Sequence, residues 1–286
     1  MRLMTFDAPG AGAGRVGAVI GQDVHDLTAK HGIDSVKKLI SMGLPTLDPG
    51  AADFHLDEVT LDLPIPNPGK IICVGVNYMR PDDPYRTGDG APEYPSLFMR
   101  APHSLAPHQG TVWRPPESEQ LDYEGEIVLV IGQTGRRIPA DRAHRHIAGL
   151  TVMNEGSVRD WMRHGQLNIT QGKNFERSGG LGPWIETDLS GIDLTDLTIR
   201  THVNGELRQE DTTANMLFPF ARIIEYVSTY TALHPGDLIA TGTPKGQGQS
   251  FDPPKWLVPG DVIEVTLDGV GTLSNTVAND PGGSLP

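Results

Sequence analysis

The chain holds one cysteine, Cys73, among its 286 residues. A lone thiol excludes an internal disulfide framework and any zinc site built from cysteines. Cys73 lies in the apolar run Ile71-Ile72-Cys73-Val74, which predicts a buried structural thiol. Long apolar runs are missing too. No window approaches the ~18 uninterrupted apolar residues of a membrane span, and residues 1–7 lack the apolar core of a secretion signal. A reducing, cytoplasmic setting without a membrane partner is expected. Basic residues are also scarce: 23 Lys and Arg stand against 36 Asp and Glu, a formal net charge of −13. That field repels nucleic acid and anionic membrane alike. It also means that an anionic ligand needs a local cation to offset the surrounding charge.

What is present is a globular balance, with 37% hydrophobic and 21% charged residues. Residues 15–20 and 24–27 read as short strands around a Gly-Gln-Asp turn, and 35–40 as a brief helix capped by Asp34 or Ser35. The stretch Leu63-Pro64-Ile65-Pro66-Asn67-Pro68-Gly69 interrupts regular pairing and marks a boundary. After it strands dominate, at 70–76, 125–131, 197–203, 237–241 and 262–267, with helices at 140–147 and 219–230. Ile223, Ile224 and Val227 share one face of the second helix. Strands with scattered short helices imply an α+β, mostly β fold rather than a repeating βαβ pattern. The expected division is a small N-terminal α/β subdomain over 1–65, a main domain over 66–280 and a frayed tail over 281–286.

The candidate chemistry begins at Asp122-Tyr123-Glu124-Gly125-Glu126, which opens a strongly apolar strand. Alternation along a strand puts Glu124 and Glu126 on one face. Two adjacent carboxylates repel unless a cation separates them, and hard oxygen ligands suit magnesium, manganese or calcium. A solvent-facing acidic strand edge satisfies the same spacing. Three further features bear on the choice. Glu155 stands where an apolar strand gives way to a polar turn, and Lys173 follows in Gln171-Gly172-Lys173-Asn174-Phe175. The loop Gly242-Thr243-Pro244-Lys245-Gly246 follows a strand, with backbone N–H groups expected to be free to meet an anion.

From Lys70 to Val277 the chain resembles the fumarylacetoacetate hydrolase superfamily. The resemblance rests on Gly75-Val76-Asn77-Tyr78, Pro95-Ser96-Leu97-Phe98, residues 122–126 and 154–160, and Gly172-Lys173. It continues through Gly182-Pro183, Val203-Asn204-Gly205-Glu206, Pro235-Gly236-Asp237, Thr241-Gly242-Thr243-Pro244 and Gly260-Asp261. It implies a mixed β-roll and a homodimer with magnesium or manganese held by Glu124, Glu126 and Glu155. It also implies that the ion acts as a Lewis acid on a small anionic 2-oxo or enol acid, stabilising the enolate that forms. Lys173 and Thr243 fall where the family meets its substrate, and Tyr78, Arg159 and Gly242 stand in the same motifs.

Two departures bear on activity. Glutamate at 155 replaces the family's usual aspartate. The lid histidine that activates water in hydrolase members is replaced in Tyr78-Met79-Arg80-Pro81-Asp82-Asp83, and no histidine lies between His55 and His103. Asp82, Asp83 or His164 would then have to serve as base; turn chemistry beside two prolines also accounts for the aspartates, and a structural role for the histidine. A metal-dependent isomerase or tautomerase of the 2-hydroxyhepta-2,4-diene-1,7-dioate type, in aromatic-acid degradation, needs no activated water and fits this pattern. C–C hydrolysis of an acylpyruvate-like diketo acid, decarboxylation of a 2-oxo diacid, and a catalytically silent binding relative are the alternatives. Arg80, Arg86 and Arg100 are candidates for pairing with a distal carboxylate, with surface salt bridges as the other reading.

Overall fold

The unbroken apolar run that follows Glu126 forms the Gly125–Ile131 strand, in which every residue is buried. In the computed structural model, which describes residues 1–78, 92–165 and 169–282, this strand is covered on both faces. Ile127, Leu129 and Ile131 point into one hydrophobic core, and Val128 and Val130 into another. Burial on two sides explains why the run lacks polar alternation.

The strand lies in a twelve-stranded mixed sheet. Its neighbours are Ile147–Asn154 and Leu238–Ala240, both antiparallel to it, and Leu238–Ala240 pairs in parallel with Ile71–Val74. Beyond Ile147–Asn154 comes Gly179–Glu186, then the N-terminal Arg2–Ala8 strand. Residues 1–65 therefore extend the sheet of the main chain edge to edge, and the Met1 ammonium and Arg2 guanidinium both pair with Glu186. A second, five-stranded sheet runs in the order Glu206–Thr212, Thr198–Val203, Val262–Leu267, Gly271–Asn279, Thr111–Arg114. Its apolar residues Ile199, Val203, Val265, Leu267 and Leu273 share a core with Ile127 and Leu129 of the large sheet. The fold is mostly β, as expected.

The helices close the remaining faces. Phe220–Tyr230 buries Phe220, Ile223, Ile224 and Val227 against the first core. Val36–Ser41, with Ser35 capping the Lys38 amide, buries Val36, Leu39 and Ile40 against the second. The segment expected as a helix at 140–147 is a 3-10 helix, Ala140–His146. No helix among the described residues is long and apolar enough to cross a membrane.

Leu129 is fully buried at the middle of the Gly125–Ile131 strand. Leu129→Ala is expected to cost about 2–5 kcal/mol of unfolding free energy, measured by urea denaturation of the purified protein.

Candidate metal centre

Antiparallel pairing brings the three carboxylates together. Gly125 pairs with Asn154 and Glu126 with Met153, so Glu124 and Glu155 fall opposite each other one residue beyond the ladder. The Glu155 amide donates to the Glu124 carbonyl at 2.7 Å, and the Glu124 amide donates to Asn154 Oδ1 at 3.0 Å. One carboxylate oxygen from each of Glu124, Glu126 and Glu155 lies within 4.8 Å of the others, and all three residues are buried. A buried position excludes the solvent-facing acidic edge.

Cations occupy two sides of this triangle. Lys173 Nζ, at the end of the short Thr170–Lys173 helix, donates to Glu124 Oε2 at 2.7 Å and also to Glu155 Oε2. Arg159 reaches Glu124 Oε1 at 2.5 Å and Asp122 Oδ2 at 2.8 Å. Asp122 is anchored in turn by the Tyr123 and Gly248 amides. Arg100 is fully buried, donating to Glu155 Oε1 at 2.7 Å, the Gly156 carbonyl at 2.8 Å, and Ser104 and Ser178. Neither a distal carboxylate nor a surface salt bridge describes it: Arg100 fixes a candidate ligand from behind. Its signal in sequence is faint, one arginine ending an apolar Leu97–Met99 strand.

Glu126 differs from its neighbours. Its Oε2 accepts from the Gly242 amide at 2.8 Å, and no lysine or arginine pairs with it among the described residues. The Gly242 amide expected to be free for an anion is thus engaged by Glu126. Gly242 has φ +98°, and a Cβ there would lie 2.6 Å from Asn77 Cβ, so the close approach requires glycine. Asn77 locks the loop by donating to the Thr241 and Phe218 carbonyls.

The protonation of these groups follows from burial and neighbours. Burial would raise Glu124, but Arg159 and Lys173 outweigh it and hold its carboxyl well below the usual range. Burial together with the Glu155 and Glu124 charges pushes Glu126 well above it. Burial raises Glu155 to about 7, with Lys173 and Arg100 partly opposing. For Lys173 burial works against the charge, yet Glu124 and Glu155 prevail and raise its pKa.

Four carboxylates, those of Asp122, Glu124, Glu126 and Glu155, therefore face three cations, Arg100, Arg159 and Lys173, in one buried cluster. Glu126 stands on the side of the triangle that lacks a cation, and there burial and its neighbours favour the protonated form. That donor set fits a hard divalent ion held by Glu124, Glu126 and Glu155.

Thr243 is half-buried, one residue beyond Gly242. Tyr78 is 3% exposed, and its hydroxyl has no partner among the described residues. His164 is exposed, its ring 4.4 Å from that of Trp161, and is neither hydrogen-bonded nor ion-paired to the glutamates. Asp82, Asp83, Arg80 and Arg86 lie outside the described residues.

Residues 70–278 match the model of the fumarylacetoacetate (FAA) hydrolase C-terminal family. The chain is 41% identical over 238 residues to the oxaloacetate tautomerase YisK of Bacillus subtilis, covering 82% of this chain and 78% of that protein. Among solved structures it superposes on the fumarylacetoacetate hydrolase of Exiguobacterium antarcticum with a TM-score of 0.87 at 34% identity, covering 98% and 100% of the two chains. A Mycobacterium abscessus protein described as a probable 2-hydroxyhepta-2,4-diene-1,7-dioate isomerase superposes with a TM-score of 0.80 at 35% identity, covering 99% and 100%.

Glu126→Gln separates a metal role from a structural one. Glutamine mimics the neutral carboxyl that burial and the neighbouring glutamates favour at 126, so the melting temperature of the metal-free protein is expected to stay unchanged or rise. Manganese affinity is expected to fall by more than about 100-fold, read by calorimetry and by loss of the metal-induced rise in melting temperature.

Proposed function

The chain belongs to the fumarylacetoacetate hydrolase family and is an enzyme, and on that premise we propose a divalent-metal-dependent tautomerase or isomerase of small 2-oxo or 2-hydroxy-dienoate (di)carboxylates. The 2-hydroxyhepta-2,4-diene-1,7-dioate type of aromatic-acid degradation and the smaller oxaloacetate type share this chemistry: a proton moves between the enol oxygen and a carbon, the one next to the 2-oxo group in oxaloacetate and one conjugated with it in the dienoate. The observation that carries the reading is Lys173, whose Nζ donates to Glu124 and Glu155 inside the buried carboxylate cluster.

Glu124, Glu126 and Glu155 would hold magnesium or manganese, which would supply Lewis acidity toward a 2-oxo acid. Lys173 adds a charged donor where negative charge grows as the carbon-bound proton leaves. Lys173 is engaged by the Glu124 and Glu155 carboxylates, and no histidine is bonded to the cluster among the described residues. Moving a proton within one molecule consumes no water, so that arrangement suits tautomerisation better than hydrolysis. Arg159, fixed by Asp122 and Glu124, and the Thr243 hydroxyl are assigned to the substrate carboxylates, with Tyr78 and Gly242 lining the same site. Asp82, Asp83 and His164 are the first candidates for the proton carrier. The reading extends to a homodimer working in the cytoplasm.

The test follows ultraviolet absorbance of oxaloacetate enol, a 2-hydroxymuconate-type dienol and an acylpyruvate, using metal-free protein with and without magnesium or manganese. Metal-dependent interconversion of enol and oxo forms, with the acylpyruvate untouched, is the expected result. Lys173→Met should lower kcat by about 10²–10³-fold. Cleavage of the acylpyruvate, or release of carbon dioxide as the main event, would sink the reading.

A further inference from the structure

Gln209 is 1% exposed on the Glu206–Thr212 strand, an edge strand whose other residues are exposed or half-buried. All of its hydrogen-bonding capacity points inward. Its Oε1 accepts from the Gly125 amide at 3.0 Å, and its Nε2 donates to Thr243 Oγ1 at 2.9 Å and to the Pro244 carbonyl at 2.7 Å. This pattern fixes the orientation of the amide. Turned over, Nε2 would face the Gly125 N–H and Oε1 the Pro244 carbonyl, donor against donor and acceptor against acceptor.

The consequence falls on Thr243. Its oxygen accepts the Gln209 N–H and makes no other hydrogen bond among the described residues. A hydroxyl has one proton to give, and with its oxygen facing Gln209 that proton is left to point away. The same amide holds Gly125, the residue between Glu124 and Glu126. A Cβ on Gly125 would lie 2.1 Å from Thr201 Oγ1 and 3.4 Å from Gln209 Oε1, so the backbone carrying two of the carboxylates rests directly on this polar pair.

We propose that Gln209 is a positioning residue that sets Thr243 as a hydrogen-bond donor toward a substrate carboxylate and fixes its distance from the Glu124–Glu126 backbone. The proposal rests on the reading that Thr243 meets a substrate carboxylate. Charged Lys173 and Arg159 attract the anion, whereas Gln209 decides which way a neutral hydroxyl faces it.

Gln209→Glu reverses the polarity. An ionised carboxylate only accepts, so the Thr243 proton turns toward residue 209 and lone pairs face the ligand. Affinity for oxalate, a two-carboxylate probe, is measured by calorimetry in saturating magnesium for wild type, Thr243→Val, Gln209→Glu and the double variant. Magnesium affinity and melting temperature are recorded alongside. Each single variant is expected to weaken oxalate binding about 10- to 100-fold while magnesium affinity is kept. The double variant should be no weaker than the weaker single one, because both act on the same hydroxyl. Should Gln209→Glu not fold, Gln209→Met removes the donor without adding charge and carries the same comparison. Unchanged oxalate affinity in the Gln209 variants, with Thr243→Val weakened, overturns the proposal; so do losses that add in the double variant. Unchanged affinity in Thr243→Val overturns the underlying reading of Thr243, and the proposal with it.

Discussion

Like-charge repulsion among three buried carboxylates is the constraint around which this molecule is arranged. Antiparallel register alone delivers Glu124 and Glu155 to the same point, one residue past the Gly125–Asn154 pair. Alternation along the strand adds Glu126. Water does not screen these charges, so neighbouring groups must compensate them. Arg100 and Lys173 attach to Glu155, while Lys173 and Arg159 attach to Glu124. These cations arrive from separate parts of the chain, and each is fixed by its own partners. Removing any one would leave a buried carboxylate short of a partner, a change that typically costs about 3–5 kcal/mol.

Rigidity comes from the layers behind the cluster. The strand that carries Glu126 is packed on two faces, so its carboxylate cannot relax away from its neighbours without disturbing a core. The Thr241–Pro244 loop is held from opposite sides, by Asn77 through the Thr241 carbonyl and by Gln209 through Thr243 and Pro244. Side-chain amides are suited to this work. They donate and accept at once, carry no charge, and so order backbone near an ionised cluster without altering its electrostatics.

Local sequence pattern revealed the parts of this design that depend on near neighbours. The apolar run after Glu126, the Ser35 cap and the Phe220–Tyr230 helix were all legible, because each follows from periodicity or a capping residue. Gly179–Glu186 was not. Its Gly-Gly-Leu-Gly-Pro beginning reads as a loop, yet it is an inner strand, and a Cβ on Gly180 would lie 2.1 Å from Asn275 Oδ1. Those glycines answer to the second sheet passing close by, a demand that local pattern cannot express. Arg100 was named, but for a distal carboxylate or a surface salt bridge, and Gln209 was missed; the burial of each is set by residues far away in sequence. Glu124, Glu126 and Glu155 were legible because spacing on one strand, a strand end and the family resemblance agreed.

The charge of the cluster also bears on the charge of the protein as a whole. A chain of net charge −13 gives an anionic acid little reason to approach, although screening confines that field to about 8 Å at physiological salt. Within the cluster three cations face four carboxylates, so with Glu126 protonated the cationic side chains bring the site no further than neutrality. A divalent ion displacing that proton would make it positive, and Glu126, the carboxylate without a basic partner among the described residues, is where such an ion would have least to compete with. Arg100 holds Glu155 from behind, while Gln209 holds Thr243 and, through the Gly125 amide, the backbone between Glu124 and Glu126. The carboxylate cluster and the Thr243 hydroxyl thus share one buried amide, which ties the position of one to that of the other.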